Sequence, residues 1–542
     1  MKRGITRRAA LTLAGAALAG CSRDGEARWS AHWIGAAHER GHRLRDATKS
    51  GSLGAPAVTR RAGAIVVGAG IAGLAAARAL MRAGLDDVHV LELEDAPGGN
   101  SRGHVLGGMG CPLGAHYLPL PGPHANEVAQ LLDELGLRRV EHGRVVYDER
   151  HLCHSPQERL HIEGQWVEGL LPPVEALPAA ERERTRDQYR GFAREVQRWV
   201  DADAFRVPTA RAAWSDELAA LDALSFADWL ARERFDAPAL RWYLDYCCRD
   251  DYGAGSARVS AWAGLHYFAS RHGFHAPGEG EAERDGLLTW PEGNGWLAAR
   301  LAAPLGERLH GGCVALRVRE GREGVELDAW NERAQRVERF VAPQLVMALP
   351  LFAAARVLDS PPAALAQAAA AMRHAPWLVA NLHCERAPID RGGAPPSWDN
   401  VIYRSHALGY VDAMHQSLRP HPGPTVLTAY WALGDEAGAR QRLLADGAEA
   451  WAARVLADLS APHPDLPRHV RRIELMRYGH AMSIPVPGLR GHAALRALAA
   501  PQRRVHFAHA DLAGYSVFEE AFFHGTRAAA DVTKAVRTRR AA

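Results

Sequence analysis

The stretch Ala64-Ile65-Val66-Val67-Gly68-Ala69-Gly70-Ile71-Ala72-Gly73 decides the fold of this chain. Its first four residues form an apolar run rich in β-branched side chains, which predicts a buried parallel strand. A GxGxxG turn follows, and the apolar segment from Leu74 to Ala83 predicts a helix. A strand, a glycine turn and a helix in this order are the setting in which such a turn binds a dinucleotide.

Each glycine of the fingerprint has its own physical role. Gly68 permits the tight turn, Gly70 lets the backbone approach a pyrophosphate, and Gly73 lets helix and strand pack closely. The pyrophosphate is expected at the N-terminus of the helix, where free N–H groups and the helix dipole favour anions. Residues 88–91 predict a second strand, which ends in Glu92, a carboxylate placed to accept hydrogen bonds from ribose hydroxyls. The alternative, a glycine-rich turn without a nucleotide, does not explain this register.

The segment after the second strand distinguishes FAD from NAD. Residues 94–102 have the sequence EDAPGGNSR. This resembles the extended flavin motif of the amine oxidase and phytoene desaturase superfamily, in which a paired glycine loop closes over the pyrophosphate. The pair here is Gly98 and Gly99. The family usually has an arginine directly after the pair, but Asn100 stands there in this chain, so the resemblance implies that Arg102 contacts the phosphate.

Further segments extend the resemblance in the family's order. Residues 114–117 (GAHY) are similar to the glycine-led stretch beside the isoalloxazine ring, in the form typical of polyamine oxidases. Residues 290–295 resemble the loop that opens the second FAD-domain segment. Val314 lies in a predicted strand, and the resemblance implies that its backbone holds the adenine. Residues 340–350 resemble the strand-to-proline element before the return to the substrate domain.

The C-terminal region resembles the last flavin contact of the family. Residues 505–511 predict a strand followed by an acid, and residues 519–536 predict a helix aimed at the flavin. The family usually has Phe-Ala-Gly-Glu here, whereas this chain has Phe-Ala-His-Ala-Asp, so the ribityl-phosphate role is transferred to Asp511. Some family members attach flavin to a C-terminal cysteine. The last cysteine here is Cys384, far from that motif, and FAD is therefore expected to bind non-covalently.

The resemblance also implies where chemistry would occur. Family members pass a hydride equivalent from the α-carbon of an amine to flavin N5, and the protein positions the substrate. His116 is a candidate contact of substrate or flavin edge, and His480, expected to titrate near neutrality, is a candidate proton acceptor. Tyr515 is a candidate wall of an aromatic cage that holds an amine by cation–π attraction. For each of the three, a purely structural role in the core is the alternative.

The distribution of basic residues bears on the electron acceptor. Many family members place a lysine near flavin N5, but the only lysines here are Lys2, Lys49 and Lys534. The missing lysine puts oxygen reactivity in doubt and leaves open a dehydrogenase that passes electrons to another acceptor. The formal net charge of +3 gives no case for nucleic acid, and the seven cysteines show no CxxC spacing, so no metal site is predicted.

The N-terminal segment predicts export. Residues 1–21 have a basic start, a short apolar run and a small-residue end, which is typical of a secretory signal peptide. Thr6-Arg7-Arg8 resembles a twin-arginine signal, so the export machinery of that pathway is an expected partner. The residues before Cys21 resemble a bacterial lipobox, which predicts a periplasmic, lipid-anchored protein. The alternative is a plain signal with a chance cysteine. Residues 22–60 are predicted to be a linker.

The predicted fold class is α/β, with a Rossmann-like FAD-binding domain and an inserted mixed α+β substrate domain. The FAD domain is expected from three segments, 61–130, 286–349 and 476–542. The substrate domain is expected from 131–285 and 350–475.

The leading function is FAD-dependent oxidation of a small-molecule amine, with a polyamine-like substrate favoured. One alternative is an FAD-dependent carbon–carbon desaturase or porphyrinogen-type oxidase, and a pocket lined only by aliphatic side chains would favour it. Another is a non-catalytic FAD-binding lipoprotein of an electron-transfer complex. Acids and paired aromatic rings in the pocket would favour an amine.

Overall fold

A computed structural model describes residues 29–50, 54–276, 286–419, 421 and 423–541. The predicted signal peptide 1–21, with Cys21, lies outside these described residues. Within the described ranges, no helix combines the length and the apolar character needed to cross a membrane.

A five-stranded, wholly parallel sheet forms the centre of one half of the molecule. Every residue of its middle strand is buried, as the apolar run predicts. The strands come from three distant parts of the chain, and helices cover both faces, which confirms the α/β class. In spatial order the strands are β13 (Leu309–Gly311), β4 (Val88–Glu92), β3 (Ala64–Val67), β17 (Leu345–Met347) and β23 (Val505–Phe507).

An eight-stranded mixed sheet organises the other half. Most neighbouring strands are antiparallel, and helices from residues 179–267 share a large aromatic core with it. In spatial order its strands are β1 (Ser30–Trp33), β22 (Val470–Ile484), β18 (Arg373–Cys384), β21 (Thr425–Ala432), β20 (Tyr410–Asp412), β19 (Asp399–Ile402), β10 (Glu158–Ile162) and β11 (Gln165–Glu168).

Smaller sheets connect the two halves. A four-stranded sheet contains β14 (Cys313–Glu320), β15 (Val325–Asn331), β16 (Arg336–Ala342) and β2 (Val58–Arg61). Two-stranded ribbons pair β5 (Gly103–Leu106) with β6 (Met109–Pro112), β7 (Tyr117–Pro119) with β12 (Leu287–Thr289), and β8 (Arg138–Glu141) with β9 (Arg144–Tyr147).

The α-helices of the described residues follow the amphipathic and capping signals of the sequence, and several are short. They are α1 (His38–Ser50), α2 (Ile71–Arg82), α3 (Asn126–Glu134), α4 (Ala179–Asp201), α5 (Asp216–Asp222), α6 (Phe226–Arg232), α7 (Pro238–Tyr252), α8 (Ala261–Tyr267), α9 (Gly295–Ala302), α10 (Leu351–Val357), α11 (Ala363–Ala371), α12 (Ala439–Ala445), α13 (Ala448–Leu459), α14 (Ala493–Ala499) and α15 (Phe518–Ala541).

The prediction that residues 22–60 form a linker is wrong for the described part of that segment. β1 pairs in parallel with β22 of the eight-stranded sheet. β2 pairs in parallel with β16 of the four-stranded sheet, so both strands belong to sheets. This segment shows no apolar period, because its edge strands and the polar helix α1 are stabilised by backbone pairing and ion pairs instead. The predicted boundary between residues 475 and 476 also fails, since it falls inside β22.

The fingerprint helix α2 is held by very close backbone contacts. A Cβ atom on Gly73 would lie 1.8 Å from the Gly68 carbonyl oxygen. On the other side, a Cβ atom on Gly525 of α15 would lie 2.0 Å from the Ala72 carbonyl oxygen. Neither neighbour is a flexible side chain, so α2 can reach this position only because both residues are glycine.

This contact predicts the effect of a single methyl group. Gly73→Ala should lower the free energy of unfolding by about 3 kcal/mol, because the helix must move away from backbone atoms. Urea unfolding followed by circular dichroism measures the change. Gly122→Ala is the control, because a Cβ atom there meets nothing within 4 Å. Equal stabilities of the two variants would contradict this account of α2.

Candidate active site and flavin cradle

Two glycine loops face each other above the N-terminus of α2. Gly68 has a φ of +97° and Gly98 a φ of +120°, conformations that favour glycine. The Gly98 N–H donates to the Ala69 carbonyl oxygen at 2.8 Å, which fixes the second loop against the fingerprint turn. A Cβ atom on Gly70 would meet only the Gly99 Cα, at 4.0 Å, so the gap between the loops stays open there. The N–H groups at the start of α2 point at this gap.

A buried carboxylate lies at the end of β4 beside the turn. Glu92 accepts hydrogen bonds from the Ala69 N–H at 2.8 Å and the Glu94 N–H at 3.0 Å. Burial raises the pKa of Glu92, and the two N–H groups oppose that shift. Val314 of β14 is buried in a small cluster that also includes Leu93. The acid and the valine therefore lie on the same side of the glycine loops.

Residues 113–115, which include the start of the GAHY stretch, accept hydrogen bonds from three other regions of the chain. Tyr430 of β21 donates to the Gly114 carbonyl oxygen at 3.0 Å, and Tyr478 of β22 donates to the Leu113 carbonyl oxygen at 2.8 Å. Asn294 binds it from the opposite side, with its backbone N–H on the Ala115 oxygen at 3.0 Å. The predicted loop 290–295 thus meets the stretch beside which the flavin ring was expected.

His116 lies in an aromatic box on this stretch. Its ring stacks on Tyr430 with 4.5 Å between centroids, and lies 5.3 Å from Trp398 and 5.1 Å from Tyr117. Burial lowers the pKa of His116 to about 3, with a partly compensating hydrogen bond to Gly114. The imidazole is therefore neutral at physiological pH.

Two carboxylates that the sequence analysis missed share the interior with this box. Burial raises the pKa of Asp250 on α7 to about 7, and burial also raises that of Asp399 on β19. Asp399 follows Trp398, whose ring lies 5.3 Å from His116, and both carboxylates raise the pKa values of Tyr117 and Tyr430 further, after burial as the main cause. Among the described residues, neither acid forms an ion pair within 4 Å. The only sequence signal was an acid following Trp398, too common to single out.

Asp511 joins two of the predicted segments. Its carboxylate accepts from the Leu351 N–H at 2.9 Å and from His374 Nε2 at 3.2 Å, and His509 Nδ1 lies 3.2 Å away. Burial alone would raise the pKa of Asp511, but the two imidazoles outweigh it and hold the pKa far below its usual value. A charged carboxylate therefore lies directly behind the strand-to-proline element.

The sequence model of the flavin containing amine oxidoreductase family matches residues 71–533. This chain belongs to that family. It is 30% identical over 178 residues to a putrescine oxidase from Kocuria rosea, a match that spans 32% of each protein. It is 27% identical over 291 residues to a flavin-containing monoamine oxidase of Mycobacterium tuberculosis, spanning 53% of this chain and 56% of the relative. The matches thus span a third to about half of these relatives.

The fold is shared with a solved flavoprotein along almost its whole length. The structure of a putrescine oxidase bound to putrescine superposes with a TM-score of 0.63 at 20% identity, covering 88% of this chain and 99% of that one. The family assignment makes FAD the cofactor of the protein.

The residues of the cradle fit FAD. The open gap over Gly70, the positive-φ glycines and the carboxylate of Glu92 suit a pyrophosphate and a ribose. Arg102 has other partners: it donates to the Gly35 oxygen at 2.6 Å and to the Gly99 oxygen at 3.2 Å. Its phosphate contact stays a prediction, as do the adenine contact of Val314 and the ribityl contact of Asp511.

His480 does not titrate near neutrality, so that expectation is wrong. Its pKa is lowered to about 3, first by desolvation of the ring and then by the cations Arg440 and Arg356 and by His374. One side of the ring stays open to solvent, and the other lies 4.6 Å from the Phe352 ring. His480 can accept a proton only transiently, as a neutral base.

Tyr515 is not a wall of an aromatic cage around the substrate. It is fully buried, and its hydroxyl donates to Glu520 at 3.0 Å. The ring packs edge-on against His266 and Tyr252. The start of α15 places Glu520 where it holds the tyrosine in the core, so the structural alternative applies.

Proposed function

We propose that this protein oxidises a diamine or a polyamine, with FAD as the acceptor of the hydride. The five-stranded parallel sheet then serves as a Rossmann-like FAD domain and the eight-stranded sheet as the substrate domain. The observation that carries the proposal is the pair Asp250 and Asp399 beside the aromatic box of His116, Tyr117 and Tyr430.

The acids argue for a cationic substrate. Both side chains are half-buried and form no ion pair within 4 Å among the described residues, and removal of such a carboxylate from water is costly and raises its pKa. A substrate ammonium group removes that cost, because it supplies the missing opposite charge. A purely apolar desaturase substrate would leave both acids unpaired, so these residues do not suit it.

The neutral histidine suits the reacting end of the substrate. FAD, when bound, supplies the hydride acceptor. The substrate nitrogen must be uncharged to assist loss of a hydride from its α-carbon, and a neutral environment favours that form. His116 is unprotonated at physiological pH because of its burial, so it adds no repulsive charge and one ring nitrogen can accept a proton. We assign the distal ammonium to the acids and the reacting amine to the box.

The acids predict selectivity for a second positive charge. Asp250→Asn should raise about 30-fold the putrescine concentration that gives half the maximal rate of flavin reduction, and should change that for butylamine little, because only the diamine places an ammonium near the acid. Anaerobic bleaching of the flavin band, with each amine, measures reduction without an electron acceptor, and readmitting air then tests oxygen as the acceptor. Asp458→Asn is the matched control, a half-buried acid bonded to Ser405 whose pKa is likewise raised by desolvation. A flavin that no amine bleaches would refute the proposed activity.

The pKa of Asp250, about 7, predicts a pH dependence. The charged carboxylate binds the ammonium, and it forms as the pH rises through the pKa. kcat/KM for putrescine should therefore rise with pH around pH 7 in the wild type, and this rise should be absent in Asp250→Asn. Butylamine serves as the reference substrate for pH effects on the flavin. A variant that keeps the same rise as the wild type would show that another group titrates.

We further propose twin-arginine export and lipid anchoring through Cys21, on the support of the sequence motifs alone. Replacing Arg7 and Arg8 by lysine should leave the protein in the cytoplasm, since that pathway requires the arginine pair. Cys21→Ala should move the exported protein from the membrane to the soluble periplasmic fraction. Cell fractionation with immunoblotting measures both. An unchanged distribution in either variant would contradict the corresponding half of the proposal.

A further inference from the structure

The described residues before the family match form a defined segment over the flavin cradle. Residues 30–43, here called the N-terminal clasp, contain β1 and the first part of α1. The family match begins only at Ile71. The clasp crosses the loop of residues 93–102, here called the glycine-pair loop because it contains Gly98 and Gly99.

The clasp binds the glycine-pair loop at several points. The Ala37 N–H donates to the carboxylate of Glu94 at 3.1 and 3.2 Å. Arg40 donates to the Leu93 carbonyl oxygen at 3.0 Å and forms a two-pronged pair with Asp95 at 3.0 and 3.1 Å. In the other direction, Arg102 of the loop donates to the Gly35 carbonyl oxygen of the clasp at 2.6 Å.

The clasp is itself anchored at both ends. β1 pairs with β22, and the Ile34 N–H continues this pairing to the Leu475 oxygen at 2.9 Å. On α1, Arg43 pairs with Glu332 at 2.9 Å and covers the Trp330 ring at 4.7 Å. The clasp therefore holds the loop from fixed points on two different sheets.

The charges of the loop explain why it needs such a partner. Glu94 and Asp95 are adjacent in the loop and follow Glu92 of β4, beside a cradle suited to an anionic pyrophosphate. Like charges at this spacing oppose closure of the loop over the phosphates. Arg40 and the Ala37 N–H offset the carboxylates of Asp95 and Glu94, and both come from the clasp.

We propose that the N-terminal clasp is part of the FAD site, and that Arg40 is a positioning residue that keeps the glycine-pair loop closed over the pyrophosphate. The clasp then sets how long FAD stays bound. This inference rests on FAD as the cofactor and is independent of which substrate is oxidised, so it can fail while the proposed activity stands, and the reverse.

The test measures FAD release from the holoprotein into flavin-free buffer, followed by the rise in flavin fluorescence. Arg40→Ala should release FAD about tenfold faster than the wild type, because the loop loses a charge-assisted pair and a bond to its backbone. Arg45→Ala is the matched control, an exposed arginine on the same helix whose ion-pair partner among the described residues is its neighbour Asp46. It should release FAD at the wild-type rate.

A charge swap separates positioning from general destabilisation. Arg40→Asp combined with Asp95→Arg restores the pair in reverse and should recover most of the slow release, whereas Arg40→Asp alone should not. Thermal unfolding of the FAD-free proteins should differ little among all variants. Equal release rates in Arg40→Ala and the wild type, or a purified chain that holds no FAD, would overturn the proposal. A release rate that merely follows the stability of the FAD-free protein would overturn it as well.

Discussion

The approach of two backbone loops, fixed by the hydrogen bond from Gly98 to Ala69, is the constraint on which the rest of the structure depends. It brings the fingerprint turn and the glycine-pair loop to face each other, and it requires the absence of side chains at Gly68, Gly73 and Gly98. The close packing of α15 against α2 likewise requires a residue without a side chain, Gly525. Any side chain large enough to separate these elements would widen the cradle and remove N–H groups from reach of a phosphate.

The substrate side is governed by electrostatics in a desolvated interior. Neutral His116 and the aromatic rings form one part of the space, and Asp250 and Asp399 supply negative charge to another. On the proposed function, the acids bind the charged end of a substrate while its reacting end stays uncharged beside His116. Burial produces both properties, since it lowers the pKa of the histidine and raises those of the acids.

The clasp connects these two sides. β1 extends the eight-stranded sheet next to β22, which also carries Tyr478 and His480, while the turn after β1 binds Arg102 and Glu94 of the flavin cradle. One short segment therefore contacts both the cofactor side and the sheet of the substrate side. This arrangement accounts for the engagement of Arg102 with the Gly35 oxygen, where the sequence predicted only a phosphate.

The sequence by itself determined the family, the α/β class and the local elements of the cradle. β3, α2, β4 and β23 follow from apolar runs and glycine positions that act over a few residues, so local patterns suffice. The sequence could not predict the roles of Asp250 and Asp399, because the two acids are far apart in the chain and act on the same tyrosines only in the folded protein.

Only the tertiary structure decided the pKa of His480, the burial of Tyr515 and the pairing of residues 30–33 and 58–61 with sheet strands. In each case the deciding partners lie far away in sequence: Arg440 and Arg356 for the histidine, and β22 and β16 for the N-terminal strands. The pKa of a side chain and the pairing of an edge strand depend on residues that are distant in sequence and adjacent only in the folded protein. No local sequence pattern encodes those contacts.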